Sequence, residues 1–220
     1  MTPWDDIMAL AERRHGAAAV RARWVTVVDA ATLASRSDAH YLSALTRRVF
    51  RAGMTHAVVD RRWPAFEQAF FDFEPQKLVL MPDAMLDERL RDPALIRHGR
   101  KMASIRPNAQ FMLDIAREYG SMGQLLAQWP ADDTVGLWHL LSRRARSLGG
   151  RSAPAFLRMV GKDSWMPTDD VLAALTARGL VTGLSSQRDR RAAQDAINHW
   201  QQQSGLAQAH ISQTLAMTVG

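Results

Sequence analysis

The stretch SLGGRSAPAFLRMVG, residues 147–161, places two adjacent glycines between segments of helical character. A helix from Val135 is expected to end at Leu148, and a new one to start near Ser152. Glycine tolerates positive φ and lets another backbone come close. The N–H groups at the start of the second helix can bind a phosphate oxygen. The sequence therefore predicts either an anion-binding hairpin or a simple tight turn.

An Asp-Asp pair follows in GKDSWMPTDDVLAAL, residues 161–175, directly before Leu172 and Leu175 at helical spacing. Carboxylates at the first positions of a helix satisfy free N–H groups and complement the helix dipole. A carboxylate beside a reacting sugar can also stabilise positive charge and orient water. Asp169 and Asp170 are thus candidates both for a helix-start role and for catalysis.

Helical periodicity extends over most of the chain, so the fold class is predicted to be all-α. Apolar positions recur at helical spacing within 41–53, 66–73, 108–120 and 171–175, and a long polar helix is expected over about 186–203. VTVV at 25–28 is the nearest to a strand and is too short to build a sheet. We expect a compact two-lobed helical bundle of about ten helices with a helix-hairpin-helix motif.

The domain organisation is expected to be simple. We predict a single domain over 1–220, with the hairpin at about 135–161 and with 1–35 and 204–220 peripheral. Residues 209–220 are expected to form a loosely held tail.

Charge and composition narrow the class of protein. There are 28 Lys+Arg against 22 Asp+Glu, a formal net charge of +6, and no Cys. The basic excess suits a polyanionic partner, although arginines also coat solvated helix faces. No window approaches the roughly 20 apolar residues of a membrane span, and no signal peptide is recognisable. A soluble cytoplasmic protein without thiolate metal sites or disulfides is expected.

The order of helix, glycine hairpin, helix, loop and Pro-x-Asp resembles the helix-hairpin-helix DNA glycosylase superfamily. Gly150, followed eleven residues later by Gly161, is similar to the hairpin of its alkyladenine-excising AlkA branch, and so is the run 162–167. The usual Leu-Pro-Gly-x-Gly is replaced here, since Leu148 runs directly into Gly149.

In that superfamily the catalytic Asp precedes a helix and has apolar residues three and six positions later. Asp169, with Leu172 and Leu175 at those positions, fits this pattern. Asp170 has Ala173 and Thr176 there, a poorer match, and is kept as the alternative.

The middle of the chain, about 41–120, resembles the DNA-3-methyladenine glycosylase I (Tag) family. The motif pieces are 52–56 (AGMTH), 73–75 (FEP) and 92–109 (DPALIRHGRKMASIRPNA). In the last of these, Asp92, Ile96, Arg97, Lys101, Met102, Asn108 and Ala109 match the family in spacing.

Three departures from the Tag pattern concern its base pocket and metal. Arg48 stands where the family has a Glu that recognises the base, and His56 stands where its motif ends in Trp. The zinc-binding Cys residues are absent, because the chain has no Cys. The base pocket of the family is therefore not carried over.

The resemblance implies a DNA repair enzyme of base excision repair that acts on double-stranded DNA with a damaged base, as a monomer and without cofactor or metal. It would hydrolyse the N-glycosidic bond of alkylated purines such as 3-methyladenine by base flipping. No Lys stands where lyase members form a Schiff base, so a monofunctional reaction is expected.

Candidate binding residues follow from the same resemblance. The walls of the base pocket would come from aromatic side chains that can stack on a cationic base, or else these side chains are helix-packing core: Trp165, His56, Phe50 and Trp63. DNA contacts would come from the hairpin and adjacent basic residues: Gly149, Gly150, Arg151, Ser152, Lys162 and Arg146.

Two other functions remain open. One is a catalytically inactive helix-hairpin-helix DNA-binding protein, which Arg48 and the missing zinc ligands suggest. The other is a helical interaction module without a nucleic-acid role, whose basic residues are merely surface.

Overall fold

The computed structural model describes residues 1–219, and within that part of the chain it contains fifteen α-helices, one 3₁₀ helix and no strand. In chain order these are α1 (Trp4–His15), α2 (Ala17–Ala22), α3 (Ala30–Ser35), α4 (Asp38–Arg51), α5 (His56–Ala69), the 3₁₀ helix (Phe71–Phe73), α6 (Pro75–Val79), α7 (Asp83–Arg91), α8 (Gly99–Met102), α9 (Ile105–Tyr119), α10 (Met122–Gln128), α11 (Thr134–Arg144), α12 (Ser152–Met159), α13 (Asp169–Ala177), α14 (Gln187–Ser204) and α15 (Gln208–Ala216). The all-α prediction is confirmed. The expected ten helices are too few, because short helices such as α2 and α8 have no amphipathic period to reveal them.

The described chain divides into two compact units. The first consists of 1–28, 130–139 and 161–219, and the second of 29–129 and 140–160. The chain therefore passes between the units more than once. The assignment of 1–220 to one domain stays a prediction.

The core of the second unit is built around an aromatic cluster from α4, α5 and the 3₁₀ helix. Phe50 lies edge-on to Phe66, with ring centroids 4.7 Å apart, and Trp63 stacks on Phe66 at 5.1 Å. Phe71, Asp72 and Phe73 have positive φ, which ends the helical run and turns Phe73 back onto Trp63 at 5.5 Å. The apolar period in 66–73 thus describes one buried cluster but two separate elements.

The N- and C-terminal segments form part of the core of the first unit. Ile7 and Ala11 of α1 are fully buried, and so are Ile211 and Leu215 of α15. The prediction of a loosely held C-terminal tail is wrong for α15, because this helix buries an apolar face. Its N-terminus is held by Asp163, whose carboxylate accepts hydrogen bonds from two backbone N–H groups of α15.

The hairpin boundaries differ from the predicted ones on one side. Helix α11 ends at Arg144 rather than at Leu148, and Ser147 has a φ of 65°. Helix α12 begins at Ser152, as expected. The turn is therefore longer than the two glycines, and it contains a second residue in the left-handed region besides Gly150.

Candidate functional site

The glycine turn is open to solvent. Gly149 and Gly150 are exposed, and a Cβ added to either would meet no atom within 4 Å. Gly150 has a φ of 59°, which favours glycine at this position. Among the described residues, the N–H groups of these two glycines donate to no protein acceptor. The turn can therefore present backbone donors to a ligand.

The start of α12 is less rich in free donors than its sequence suggested. The N–H of Ser152 donates to the carbonyl of Gly149 at 3.1 Å, and that of Ala155 donates to the carbonyl of Arg151 at 3.1 Å. Pro154 has no N–H. Of the groups at this helix start, the N–H of Ala153 and the turn glycines remain available, judged on the described part of the chain.

The basic side chains near the turn are not equivalent. Arg144 forms an ion pair with Glu118 at 2.5 Å, and this partner raises the pKa of the Arg144 guanidinium. Arg146 is exposed, and its backbone is fixed by Asn108, which accepts from the Arg146 N–H at 2.7 Å and donates to its carbonyl at 3.1 Å. Arg151 is also exposed. Arg146 and Arg151 therefore fit a phosphate-contacting role better than Arg144.

The start of α13 places the Asp pair in the first turn of the helix but not at the cap. Thr168 is the N-cap, and its side chain accepts a hydrogen bond from the Val171 N–H. Asp169 and Asp170 are both exposed. Capping by a side chain therefore belongs to Thr168, and it does not account for either carboxylate.

The helical phase of the pair distinguishes its two members. Leu175, six residues after Asp169, is fully buried, and Leu172 is half-buried. Ala173 and Thr176, which have the same spacing from Asp170, are exposed. The catalytic assignment of Asp169, with Asp170 as alternate, stays a prediction.

The loop before α13 is fixed by buried polar contacts within the first unit. Trp165 is fully buried, its ring centroid lies 4.5 Å from that of Trp138, and its indole N–H donates to Gln194 at 2.9 Å. Lys162 is half-buried, and burial lowers its pKa, while the charge of Asp163 acts in the opposite direction. The loop is thus an ordered connection to α13.

The four candidate pocket residues have different environments. Phe50 and Trp63 belong to the aromatic core of the second unit, where Phe50 is fully buried and Trp63 is 3% exposed. Trp165 is core of the first unit. His56 is exposed at the start of α5. Packing therefore accounts for the three buried rings, and a base pocket built from these residues stays a prediction.

Two residues of the Tag-like segment have structural roles that sequence spacing did not identify. The Lys101 ammonium donates to the carbonyls of Phe50 at 3.0 Å and Ala52 at 2.6 Å, at the end of α4. Asn108 is fully buried and clamps the backbone at Arg146. Their match to the family pattern was the signal that could have singled them out.

Arg48 is a partly buried cation of the second unit with few hydrogen bonds. Its side chain is half-buried, its Nη2 lies 3.4 Å from the Ser152 hydroxyl, and its buried Nε has no hydrogen-bond partner. Burial, and then the charge of Arg51, lower its pKa.

Residues 1–219 contain neither a metal-binding cluster of His, Cys, Asp or Glu side chains nor a membrane-spanning helix. No group of three or more His, Cys, Asp or Glu side chains there is arranged to hold a metal ion. No helix of this part is long and apolar enough to cross a membrane.

Comparison with known families decides the classification. The family model for methyladenine glycosylase matches residues 32–140. Residues 32–140, just under half of the chain, are similar to the methyladenine glycosylase family. This confirms the Tag-like resemblance over 41–120 and the expectation of a DNA glycosylase-type enzyme of DNA repair. The match ends before the glycine turn and the Asp pair, so both lie outside the matched segment.

Solved structures also support the all-α fold of the chain. The 3-methyladenine DNA glycosylase I (TAG) from Staphylococcus aureus is 22% identical, with 63% of this chain and 80% of that chain covered at a TM-score of 0.52. A mutant of 3-methyladenine DNA glycosylase I from Staphylococcus aureus is 21% identical, with 71% and 87% covered at the same TM-score of 0.52. No curated protein sequence matches the chain. At these identities the structural likeness shows the fold.

Proposed function

We propose that the protein is a monofunctional DNA glycosylase that removes alkylated purines such as 3-methyladenine from double-stranded DNA. The observation that carries the proposal is the match of the methyladenine glycosylase family model to residues 32–140. The protein acts as a monomer in the cytoplasm and leaves an abasic site. No Lys side chain is assigned to strand cleavage.

The proposed reaction breaks the bond between the sugar C1′ and the base nitrogen. Positive charge develops on the deoxyribose as the base leaves with the bonding electron pair, and water then adds its hydroxyl to C1′. An N-alkylated purine is already cationic, so it departs as a neutral base without a strong general acid. The Asp169 carboxylate stabilises the sugar cation and takes or orients the proton of the water.

The proposed DNA contact rests on the open turn and its basic neighbours. The exposed backbone of Gly149 and Gly150, with Ser152 beside it, faces the phosphates, and Arg146 and Arg151 add positive charge. Lys162 of the first unit is a further proposed DNA contact. Extrusion of the damaged nucleotide costs a few kcal/mol. His56, Phe50, Trp63 and Trp165 are retained as proposed pocket residues, with His56 the most accessible of them.

The test is incubation of the pure protein with methylated duplex DNA, followed by chromatography of the released bases. Wild type releases 3-methyladenine, and Asp169→Asn lowers the release rate by about a hundredfold or more, because the amide carries no charge to stabilise the sugar cation. DNA affinity stays within about twofold, since the hairpin and its arginines are untouched. Asp195→Asn, at an exposed position of α14 in the same unit, is the matched control.

Asp170→Asn separates the two members of the pair. Activity close to wild type in this variant supports Asp169 as the carboxylate. Loss of activity in Asp170→Asn together with retained activity in Asp169→Asn transfers the role to Asp170. Retained activity in both variants contradicts the proposed mechanism.

A second candidate function is a catalytically inactive protein that binds DNA through the hairpin. Arg48 favours it, since a cation stands where the Tag family has the Glu that recognises the base. A gel-shift assay with abasic-analogue duplex, combined with the base-release assay, distinguishes the two. Binding without release of any base supports the inactive DNA-binding protein.

A further inference from the structure

The positive charge around Arg48 greatly exceeds the negative charge available to it. Arg47 and Arg51, on the same helix α4, both donate to Asp60, with N–O distances of 2.9 Å and 2.6 Å. Lys101 donates to the backbone carbonyls at the end of α4. Among residues 1–219, no carboxylate forms a salt bridge with Arg48 or Lys101. Asp60 therefore pairs with two of these four cations, and Arg48 and Lys101 have no carboxylate partner among the described residues.

The contacts of Arg48 itself are also incomplete. The single hydrogen bond of its side chain within the described residues is the 3.4 Å contact to Ser152, near the long limit for such a bond, and its Nε is buried without an acceptor. A buried charge without a counterion or full hydrogen bonding is costly, so such groups normally have a partner. The Arg48 charge also lowers the pKa of Lys101, second to burial, which indicates that the two cations share one electrostatic environment.

We propose that Arg48 and Ser152, with the charge of Lys101 nearby, bind a phosphate-type oxyanion. A guanidinium presents paired N–H donors that match phosphate oxygens, and the Ser152 hydroxyl can donate once Arg48 turns its donors to the anion. Ser152 is also the first residue of α12, so the site lies directly after the glycine turn. Like charges repel, and the cluster therefore disfavours a cationic purine in direct contact with Arg48.

Two sources can supply this oxyanion: a phosphodiester of duplex DNA or free phosphate. The DNA source deepens and rests on the proposed glycosylase function, whereas free phosphate does not need it. The comparison variant is Arg48→Gln, which removes the charge but keeps a polar side chain. Arg61→Gln is the matched control, because Arg61 is an exposed cation of the same unit on α5.

The first arm measures affinity for abasic-analogue duplex by fluorescence anisotropy over a series of KCl concentrations. If DNA is the source, Arg48→Gln weakens binding about tenfold and lowers the slope of log affinity against log salt by about 0.9, the loss of one phosphate contact. Arg48→Lys keeps the charge but not the paired donors. Compared with Arg48→Gln, it therefore restores most of the wild-type salt slope but a smaller part of the wild-type affinity. Arg61→Gln leaves both within about twofold of wild type.

The second arm measures the thermal midpoint in sodium phosphate against sodium chloride of equal ionic strength. A phosphate-specific rise in wild type that is lost in Arg48→Gln and kept in Arg61→Gln supports the oxyanion site with free phosphate as a ligand. Circular dichroism of each variant at low temperature verifies that it is folded. Removal of an uncompensated charge is not expected to unfold the protein, and Arg48→Lys provides a second folded variant.

The two arms together decide the proposal. An effect of Arg48→Gln in either arm supports the site and identifies the source. Wild-type behaviour of Arg48→Gln in both arms, or an equal effect of Arg61→Gln, overturns it. Base release by wild type is measured in parallel. If wild type releases no base but shows the phosphate-specific stabilisation, the glycosylase function is contradicted and the oxyanion site is supported. If wild type releases base but neither arm shows an effect of Arg48→Gln, the oxyanion site is contradicted and the glycosylase function is not.

Discussion

Asp60 is the single carboxylate that holds the two outer arginines of α4. Burial alone would raise its pKa, but the hydrogen bonds from Arg51 and Arg47 and their charges outweigh burial and hold the pKa of Asp60 below its usual range. A carboxyl whose pKa is lower in the folded than in the unfolded state releases its proton more readily when folded. Its stabilising effect is therefore complete above the unfolded pKa and is lost as pH falls through the folded pKa.

We predict that Asp60→Asn lowers the free energy of unfolding by about 1 kcal/mol at neutral pH, a modest value because the Asp60 side chain is 32% exposed. The difference from wild type shrinks below about pH 4, as wild-type Asp60 takes up its proton. Urea unfolding at several pH values between neutral and acidic measures it. Asp87→Asn, at an exposed position of α7, is the control and shows no such pH-dependent difference. A difference that stays constant with pH would contradict a charge-based role.

At the scale of the elements, the sequence predicted the long amphipathic helices better than the short ones. Helices α4, α9 and α14 were expected close to their observed positions. Each is longer than three turns, so its pattern of apolar and polar residues is long enough to recognise in the sequence. Close approach between helices could not be predicted in this way. Gly123 of α10 is an example: a Cβ there would lie 2.4 Å from the carbonyl oxygen of Leu33 on α3.

We predict that Gly123→Ala destabilises the protein by about 2 kcal/mol, because the added methyl group forces α10 away from α3. The direction of the change in stability is the informative result, because Gly→Ala inside a helix normally stabilises a protein. Gly99→Ala is the matched control: its Cβ would meet only a Leu90 side-chain atom at 4.0 Å, so no loss is expected. Thermal or urea unfolding of both variants measures the difference. Equal stabilities of the two variants would show that α3 and α10 separate without cost.

At the scale of the whole molecule, the excess of basic over acidic residues is the quantity that governs attraction to a polyanion. The formal charge of +6 favours association with a polyanion, whichever residues make the contacts. Several arginines are already paired, including Arg47, Arg51 and Arg144. This pairing leaves the net charge at +6, because the paired carboxylates are already counted in it, but it reduces the number of arginines that can contact phosphates directly.

We predict that affinity for duplex DNA falls steeply with salt. With about four phosphates contacted, the loss is about a hundredfold between ~50 and ~200 mM KCl, because binding releases condensed counterions. Fluorescence anisotropy with a labelled duplex measures it, and addition of sucrose at constant salt is the control that leaves affinity unchanged. Failure to bind duplex even at low salt would point to a helical interaction module instead.

By itself, the sequence determined the all-α class, the glycine turn before Ser152, the α13 start and the Tag-like segment. These features depend on local periodicity, on the positions of glycine and proline, and on residue spacing. All three are properties of short stretches of the chain. Only the tertiary structure decided which arginines are paired, that Trp165 is core and that α15 is buried. Burial and ion pairing depend on residues far apart in sequence, so no local pattern encodes them. The environment of Arg48 is the clearest case, since its side chain contacts Ser152, more than a hundred residues away in sequence.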